Sequence, residues 1–288
     1  MGLDITALNF LNLIVKKKPL GNCITLGRQT LNLHSSTIKK SLNIKSEYVH
    51  NNYCEDLLLK YFGASNVESL DFSDFEQATH IVDLNLPLPK KYHGIYDTVI
   101  NFGTLEHIFN ISEALKSCSA LCKKGGQILH VLPSNNFCGH GFYQFSPELF
   151  FSLYSEKNGH AETEVFISDI TDNNFIYKVN IPKIGSRINL FSFNSLYVLC
   201  RTVFIENKLL DLNVQQSDYL YSWNKSKQEM FNSSFYEEPL TIKEKLKKYY
   251  FFYKFLSFIN NLFKLVGLKK RNRLNKKNED IKIIKIIK

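Results

Sequence analysis

Apolar and polar positions along the chain follow two periods, one typical of amphipathic helices and one typical of buried strands. Apolar side chains at helical spacing predict a first helix over residues 3–15. Short apolar runs predict strands at residues 22–26, 67–70, 79–82, 96–100, 127–132, 164–168 and 196–204. Helices are predicted between several of these strands, at residues 54–62, at residues 108–122 and from Ser146 onward.

Strands that alternate with helices at this spacing indicate an α/β fold with a doubly wound, mostly parallel sheet, here of seven strands. We expect an N-terminal amphipathic helix over residues 1–20 and a main domain over residues 21–210. Within that domain, residues 171–195 are irregular and are expected to form an insert or lid. A linker over residues 211–242 then leads to a tail over residues 243–288.

Charge separates this tail from the rest of the chain. The 288 residues carry a formal charge of +9, from 36 Lys and Arg against 27 Asp and Glu. The tail holds 15 of the basic and 3 of the acidic residues, which leaves 21 basic and 24 acidic residues before it. A mildly acidic body disfavours nucleic acid as a partner, because a nucleic-acid site requires a basic surface.

Apolar residues dominate the tail segment 249–268, and its polar residues fall on one helical stripe. The basic run Lys269-Lys270-Arg271-Asn272-Arg273 follows it. This pattern predicts a C-terminal amphipathic helix, which either contacts an anionic membrane surface through residues 249–273 or packs on the main domain. The six cysteines include no C-x-x-C pair, which favours reduced thiols in a cytosolic protein. We therefore expect a cytoplasmic protein, peripheral at the inner membrane surface if the tail contacts the membrane.

One segment carries a recognisable motif. Tyr96-Asp97-Thr-Val-Ile-Asn101-Phe-Gly103-Thr104-Leu105-Glu106-His107 is followed by a helix and by Lys123-Lys-Gly-Gly-Gln-Ile128. These residues resemble the fourth-strand motif, the next helix and the start of the fifth strand of class I (Rossmann-like) S-adenosylmethionine-dependent methyltransferases. The resemblance extends over roughly residues 20–205 and implies a methyltransferase with S-adenosylmethionine as its cofactor.

The resemblance also implies a cofactor site at the carboxyl ends of the strands, where ligands of doubly wound sheets bind. Gly27 would let the backbone approach the ligand, Asp71 would accept the ribose hydroxyls, and Asp83 with Leu84 would lie at the adenine. Asn101 and Gly103 would lie beneath the sulfonium. The structural alternatives are that Asp71 and Asp83 serve as turn or cap residues and that Gly103 only permits a tight turn.

The first loop departs from the family pattern of an acidic residue and several glycines. Here it reads Leu26-Gly27-Arg28-Gln29-Thr30, with one glycine and a bulky cation. We hypothesise that Arg28 grips the methionine carboxylate of the cofactor. Alternatively, Arg28 fills the site, and the chain is a cofactor-free, methyltransferase-like binding or scaffold protein that is recruited to membrane.

Methyl transfer to a hydroxyl would need a base, for which His107 and His140 are the candidates. Tyr143 would orient the acceptor hydroxyl. His107 could instead cap or pack at a helix start. The charge distribution favours a glycan, glycolipid or other small-molecule acceptor, as in polysaccharide biosynthesis.

A nicotinamide enzyme is disfavoured because the chain lacks G-x-G-x-x-G after the first strand. No metal site is predicted, since the cysteines and histidines match no common zinc spacing.

Overall fold

We describe the fold from a computed structural model of the chain. The structure describes residues 2–45, 52–172, 174–183, 185–206, 210–232, 254–255, 258–259, 274 and 279–286. The helix predicted over residues 249–268, and the membrane contact predicted for residues 249–273, therefore lie almost entirely outside the described residues. Across the described ranges, no helix has both the length and the apolar character needed to cross a bilayer.

One mixed sheet forms the centre of the α/β fold. Its strands are β1 (Gly21–Leu26), β2 (Ala64–Asp71), β3 (His80–Ile81), β4 (Tyr96–Phe102), β5 (Cys122–Asn135), β6 (His160–Asp169), β7 (Phe175–Val179), β8 (Leu196–Phe204) and β9 (Ile281–Lys285). Their spatial order is β3-β2-β1-β4-β5-β8-β6-β7-β9. The order reverses between β1 and β4, which is the switch point at which doubly wound sheets bind ligands.

The predicted seven-stranded, mostly parallel sheet was wrong in strand number and in strand direction. The pairs β1–β2, β1–β4, β2–β3 and β4–β5 are parallel, whereas β5–β8, β6–β8, β6–β7 and β7–β9 are antiparallel. The two unpredicted strands are β7 and β9. The strand β7 lies in the segment 171–195 that we expected to be irregular, and β9 lies in the predicted tail.

Apolar side chains on both faces of the parallel strands are buried, as expected for a sheet covered by helices on both sides. The helices of the described residues are α1 (Ile5–Ile14), α2 (Ser35–Leu42), α3 (Glu55–Tyr61), α4 (Ile111–Leu121), α5 (Pro147–Leu153) and α6 (Ser217–Asn232). One apolar cluster joins α1 to Cys23 and Ile100, and the other joins α4 to Ile24 and Val99. Adjacent strand residues thus face opposite layers.

Two histidines are buried in the antiparallel half of the sheet. His130 of β5 is fully buried and hydrogen-bonds Asn101 at 2.9 Å and the Tyr154 hydroxyl at 2.7 Å. His160 of β6 is also fully buried and lies 3.1 Å from the Ser119 hydroxyl. Burial lowers the pKa of His130 to about 3 and that of His160 to about 4, so both rings are neutral at pH 7.

We expect these rings to make the fold acid-sensitive. The folded pKa values lie below the ordinary value of 6.5, so the unfolded chain takes up protons that the folded chain refuses. The stabilisation that the two neutral rings provide is complete above pH 6.5. It is lost as the pH falls towards 4 for His160 and towards 3 for His130, by at most about 1.4 kcal/mol per pH unit for each histidine. Urea unfolding of His130→Gln should show a shallower decline than the parent chain between pH 6.5 and 4. The exposed His93→Gln is the control, and an equally steep decline in His130→Gln would contradict the assignment.

Candidate functional site

The loop after β4 is held by one buried amide. The Oδ1 atom of Asn101 accepts hydrogen bonds from the backbone N–H groups of Thr104 at 3.1 Å and Leu105 at 3.2 Å. This fixes the amide orientation, so its Nδ2 donates to Nδ1 of His130. The neutral His130 ring must then carry its proton on Nε2 and donate it to the hydroxyl of Tyr154. Asn101 therefore positions the loop from the core.

A crevice of about 360 Å³ opens at the carboxyl ends of β1, β2 and β4, next to the switch point. It brings together five of the residues predicted from the sequence, together with six others from the same loops. The lining residues are Gly27, Leu70, Asp71, Phe72, Val82, Asp83, Leu84, Asn85, Thr104, His107 and Ile108. Residues far apart in the chain thus share one concave site, which is the usual form of a small-molecule site.

Two carboxylates line this crevice. Asp71 ends β2, and its carboxylate accepts hydrogen bonds from the backbone N–H of Phe72 at 2.7 Å and of Arg28 at 3.4 Å. Asp83 accepts from both the backbone and the side-chain nitrogen of Asn85, each at 2.8 Å. Asn85 is in turn bonded to Asn110, the N-cap of α4. These backbone bonds hold the two acidic groups in place around a polar ligand.

The loop after β1 is organised by side chains instead of several glycines. Gly27 has a φ of +68°, and a Cβ there would lie 2.8 Å from the hydroxyl oxygen of Thr104. The buried Gln29 donates through Nε2 to the carbonyl oxygens of Leu26 at 2.6 Å and Gly27 at 3.3 Å. Thr104 also donates to the Leu26 carbonyl oxygen, at 2.5 Å. A side chain at position 27 would therefore collide with Thr104, which explains the glycine there.

Arg28 is paired within the protein, away from the crevice lining. Its Nε lies 2.8 Å from a carboxylate oxygen of Glu55, at the start of α3. Its guanidinium lies 3.8 Å above the centre of the Tyr53 ring and donates to the backbone carbonyl of Glu76. The loop turns this side chain towards α3, and Arg28 is not among the residues that line the crevice.

Beside the crevice, three side chains from two loops converge. Oε1 of Glu106 lies 3.4 Å from Nε2 of His140 and 3.9 Å from Nε2 of His107. The two imidazole rings meet edge to face at 4.9 Å. Glu106 is completely buried, and burial raises its pKa to about 7, while burial lowers the pKa of His107. His107 belongs to both the crevice and this cluster, so the two sites adjoin.

The remaining predicted site residues lie outside the crevice lining. Asn101 is fully buried below it, and Gly103 forms the turn after β4 with a φ of +91°. The hydroxyl of Tyr143 donates to the backbone carbonyl of Phe109 at 2.7 Å. The sequence reasoning assigned no role to Phe72 or Thr104. Glu106 stood inside the recognised motif, and its position directly before His107 was the signal that could have drawn attention to it.

No family model matches the chain, and no curated protein matches its sequence. The chain is similar to solved structures of methyltransferases. A protein assigned as a methyltransferase from Bacillus halodurans has 13% identity and a TM-score of 0.39, covering 69% of this chain and 99% of its own. An S-adenosylmethionine-dependent methyltransferase from Thermotoga maritima has 16% identity and a TM-score of 0.34, covering 68% of this chain and 88% of its own.

Similarity extends to another enzyme class as well. A protein assigned as a zinc-dependent alcohol dehydrogenase from Rhodobacter sphaeroides has 16% identity and a TM-score of 0.28, covering 44% of this chain and 46% of its own. At these identities and scores, function has to be inferred from the geometry of the site.

We expect Asn101 to be important for stability. Asn101→Ala leaves two loop N–H groups and Nδ1 of His130 without their partner in a fully buried position. Each unsatisfied buried group costs about 1–3 kcal/mol, so we expect a loss of at least about 3 kcal/mol in the free energy of unfolding. Urea denaturation measures it, and the exposed Asn66→Ala is the control. A loss below about 1 kcal/mol would refute the proposed bracing.

We expect Arg28→Ala to act on stability more than on ligand affinity. The change leaves the half-buried Glu55 carboxylate unpaired, at a cost of about 2 kcal/mol, whereas the double variant Arg28→Ala/Glu55→Ala should recover part of that loss. Denaturation of both variants measures the coupling. Titration with S-adenosylhomocysteine should give affinities within about threefold of the parent chain, a change under about 0.7 kcal/mol. A much weaker affinity for S-adenosylhomocysteine would support the hypothesis that Arg28 grips the methionine carboxylate. A tighter affinity would support the alternative that Arg28 fills the site.

Proposed function

We propose that this protein is an S-adenosylmethionine-dependent methyltransferase whose cofactor binds in the crevice between β1, β2 and β4. The observation that carries the proposal is the convergence of Gly27, Asp71, Asp83 and His107 on one crevice at the switch point of the sheet. A doubly wound sheet binds its ligand there. Gly27, Asp71 and Asp83 were expected at the cofactor from the resemblance to methyltransferases, and His107 was a candidate for the base.

The chemistry of the lining fits a nucleoside. A carboxylate at Asp71 is a strong acceptor for a pair of ribose hydroxyls, and its two backbone bonds leave acceptor capacity for them. Asp83 can accept from an exocyclic amine. Val82, Leu84 and Ile108 supply apolar surface for a flat ring, and the Phe72 ring at the crevice is largely exposed and can cover that ring.

The protein's part in methyl transfer is alignment. Bound S-adenosylmethionine would supply a methyl group on a sulfonium, which is already a good leaving group. The residues of the chain then have to hold an acceptor in line with the transferable methyl and exclude water. The loop bearing Glu106 and His107 lies at the edge of the crevice and is braced by Asn101. An acceptor is therefore expected on this side, within reach of His107 and His140.

For the methyl acceptor we propose a chemical class. We propose a glycan, glycolipid or other small molecule, on the ground that the first 242 residues carry more acidic than basic side chains. An acidic body repels polyanions such as nucleic acids. Peripheral contact with a membrane through residues 249–273 stays a prediction from their basic, amphipathic pattern.

We expect Asp71→Asn to weaken binding of S-adenosylhomocysteine by about 10- to 100-fold, which corresponds to one or two hydrogen bonds to a charged group. The change keeps the shape of the side chain and its position at the end of β2. Isothermal titration calorimetry measures the affinity, and Asp74→Asn, on the exposed turn that follows, is the matched control. Equal affinities in the two variants would remove Asp71 from the site. No binding to the parent chain at millimolar ligand would favour the cofactor-free scaffold.

A further inference from the structure

The cluster of Glu106, His107 and His140 has the composition of a metal site. Its three ligand atoms, one carboxylate oxygen and two imidazole nitrogens, lie within 4.8 Å of one another. Two ligands bound at about 2.1 Å around one ion in tetrahedral geometry are about 3.4 Å apart. The distances of 3.4 Å and 3.9 Å from Glu106 Oε1 to the two imidazoles therefore need little adjustment to accept an ion.

A second observation is independent of these distances. Both carboxylate oxygens of Glu106 and Nε2 of His140 are buried and have no hydrogen-bond partner among the described residues. A buried polar group without a partner is costly, and a buried carboxylate is more so. Two of these atoms, Oε1 of Glu106 and Nε2 of His140, lie 3.4 Å from each other. A cation between them would satisfy both at once.

The backbone holds the cluster in this arrangement. The N–H of Phe142 donates to the carbonyl oxygen of Glu106 at 2.6 Å, which joins the loop of His140 to the loop of His107. Gly141 permits this contact, because it has a φ of +69° and a Cβ there would lie 2.7 Å from the same carbonyl oxygen. A site fixed by backbone contacts is pre-organised for a ligand.

We propose that Glu106, His107 and His140 bind one divalent transition-metal ion at the edge of the crevice. Two imidazoles with one carboxylate suit Zn²⁺, Fe²⁺, Co²⁺ or Mn²⁺, whereas Mg²⁺ and Ca²⁺ prefer oxygen ligands alone. Three protein ligands leave positions open for water or substrate. The side chains of His107 and His140 are 47% and 37% exposed, so the cluster lies near the protein surface.

The site would give the proposed methyltransferase a Lewis acid for its acceptor. An acceptor hydroxyl bound at an open position would lose its proton more readily. This consequence rests on the proposed function, whereas the metal site itself does not. No metal site was predicted from the sequence, because only sets that contain cysteine were compared with known spacings. His107 and His140 lie 33 positions apart in the chain, so their sequence spacing does not indicate a shared site with Glu106.

Titration of the untagged, chelator-treated full chain with Co²⁺ tests the proposal. We expect one equivalent to bind with visible absorption bands, and Zn²⁺ to displace it and raise the Tm. Glu106→Gln and His140→Gln should each weaken binding by more than about 100-fold, and Gly141→Ala, which alters no ligand, by roughly 10- to 100-fold. His80→Gln, from the hydrogen-bonded Glu68–His80 pair, and Cys138→Ser, an exposed thiol nearby, should bind as the parent chain does.

The outcomes are separable from those of the cofactor crevice. His140 does not line the crevice, so His140→Gln should retain S-adenosylhomocysteine binding while it loses Co²⁺ binding and the Zn²⁺-dependent rise in Tm. The proposal is overturned if the parent chain binds no more Co²⁺ than His140→Gln. The proposal also fails if Cys138→Ser abolishes binding, because the ion would then lie at that thiol.

Discussion

The buried amide of Asn101 is the constraint on which the site depends. It links β4 to His130 of β5 and, through that ring, to Tyr154. Its other side fixes two backbone N–H groups of the loop that carries Glu106 and His107. A polar network that is fully satisfied and fully buried is rigid. The loop that carries Glu106 and His107 is therefore positioned by hydrogen bonds from the core.

The loop after β1 shows a second way to build a ligand-facing turn. A loop with several glycines presents bare backbone, and its shape needs no side chain. In this chain, Gln29 and Thr104 bind the carbonyl groups of Leu26 and Gly27 and so fix the turn from within. Arg28, the bulky cation that departs from the family pattern, contacts Glu55 and Tyr53 instead of lining the crevice. A departure from a sequence pattern can thus preserve the geometry that the pattern usually encodes.

Much of the fold could be predicted from local patterns, and the reasons for the failures are physical. The strand predicted at residues 196–204 matches β8, and the motif at residues 96–100 lies in β4. The strands β7 and β9 were missed because each is five residues long and each depends on distant pairing for its stability. Residues 217–232 of the expected linker form α6, whose described side chains are mainly exposed and therefore not marked by burial in the core.

The site was predictable only as far as strand ends could be recognised. Gly27, Asp71 and Asp83 follow apolar runs, and the topology of a doubly wound sheet brings such residues together. The direction of the Arg28 side chain and the inward position of Asn101 depend on tertiary partners, Glu55 and His130, that no local pattern reveals. The meeting of His140 with Glu106 depends on a backbone hydrogen bond between two loops.

The strand β9 changes the physical character of the chain segment that precedes it. Residues 281–285 pair with β7 at the edge of the sheet, while α6 ends at Asn232. The stretch between them is therefore connected at both ends to described elements of the fold, α6 and β9. A single proteolytic cut between residues 232 and 281 would leave β9 hydrogen-bonded to β7, so the two fragments would stay together under native conditions. A binding partner would likewise meet a segment whose two ends are already held, at a smaller entropic cost than for a chain end.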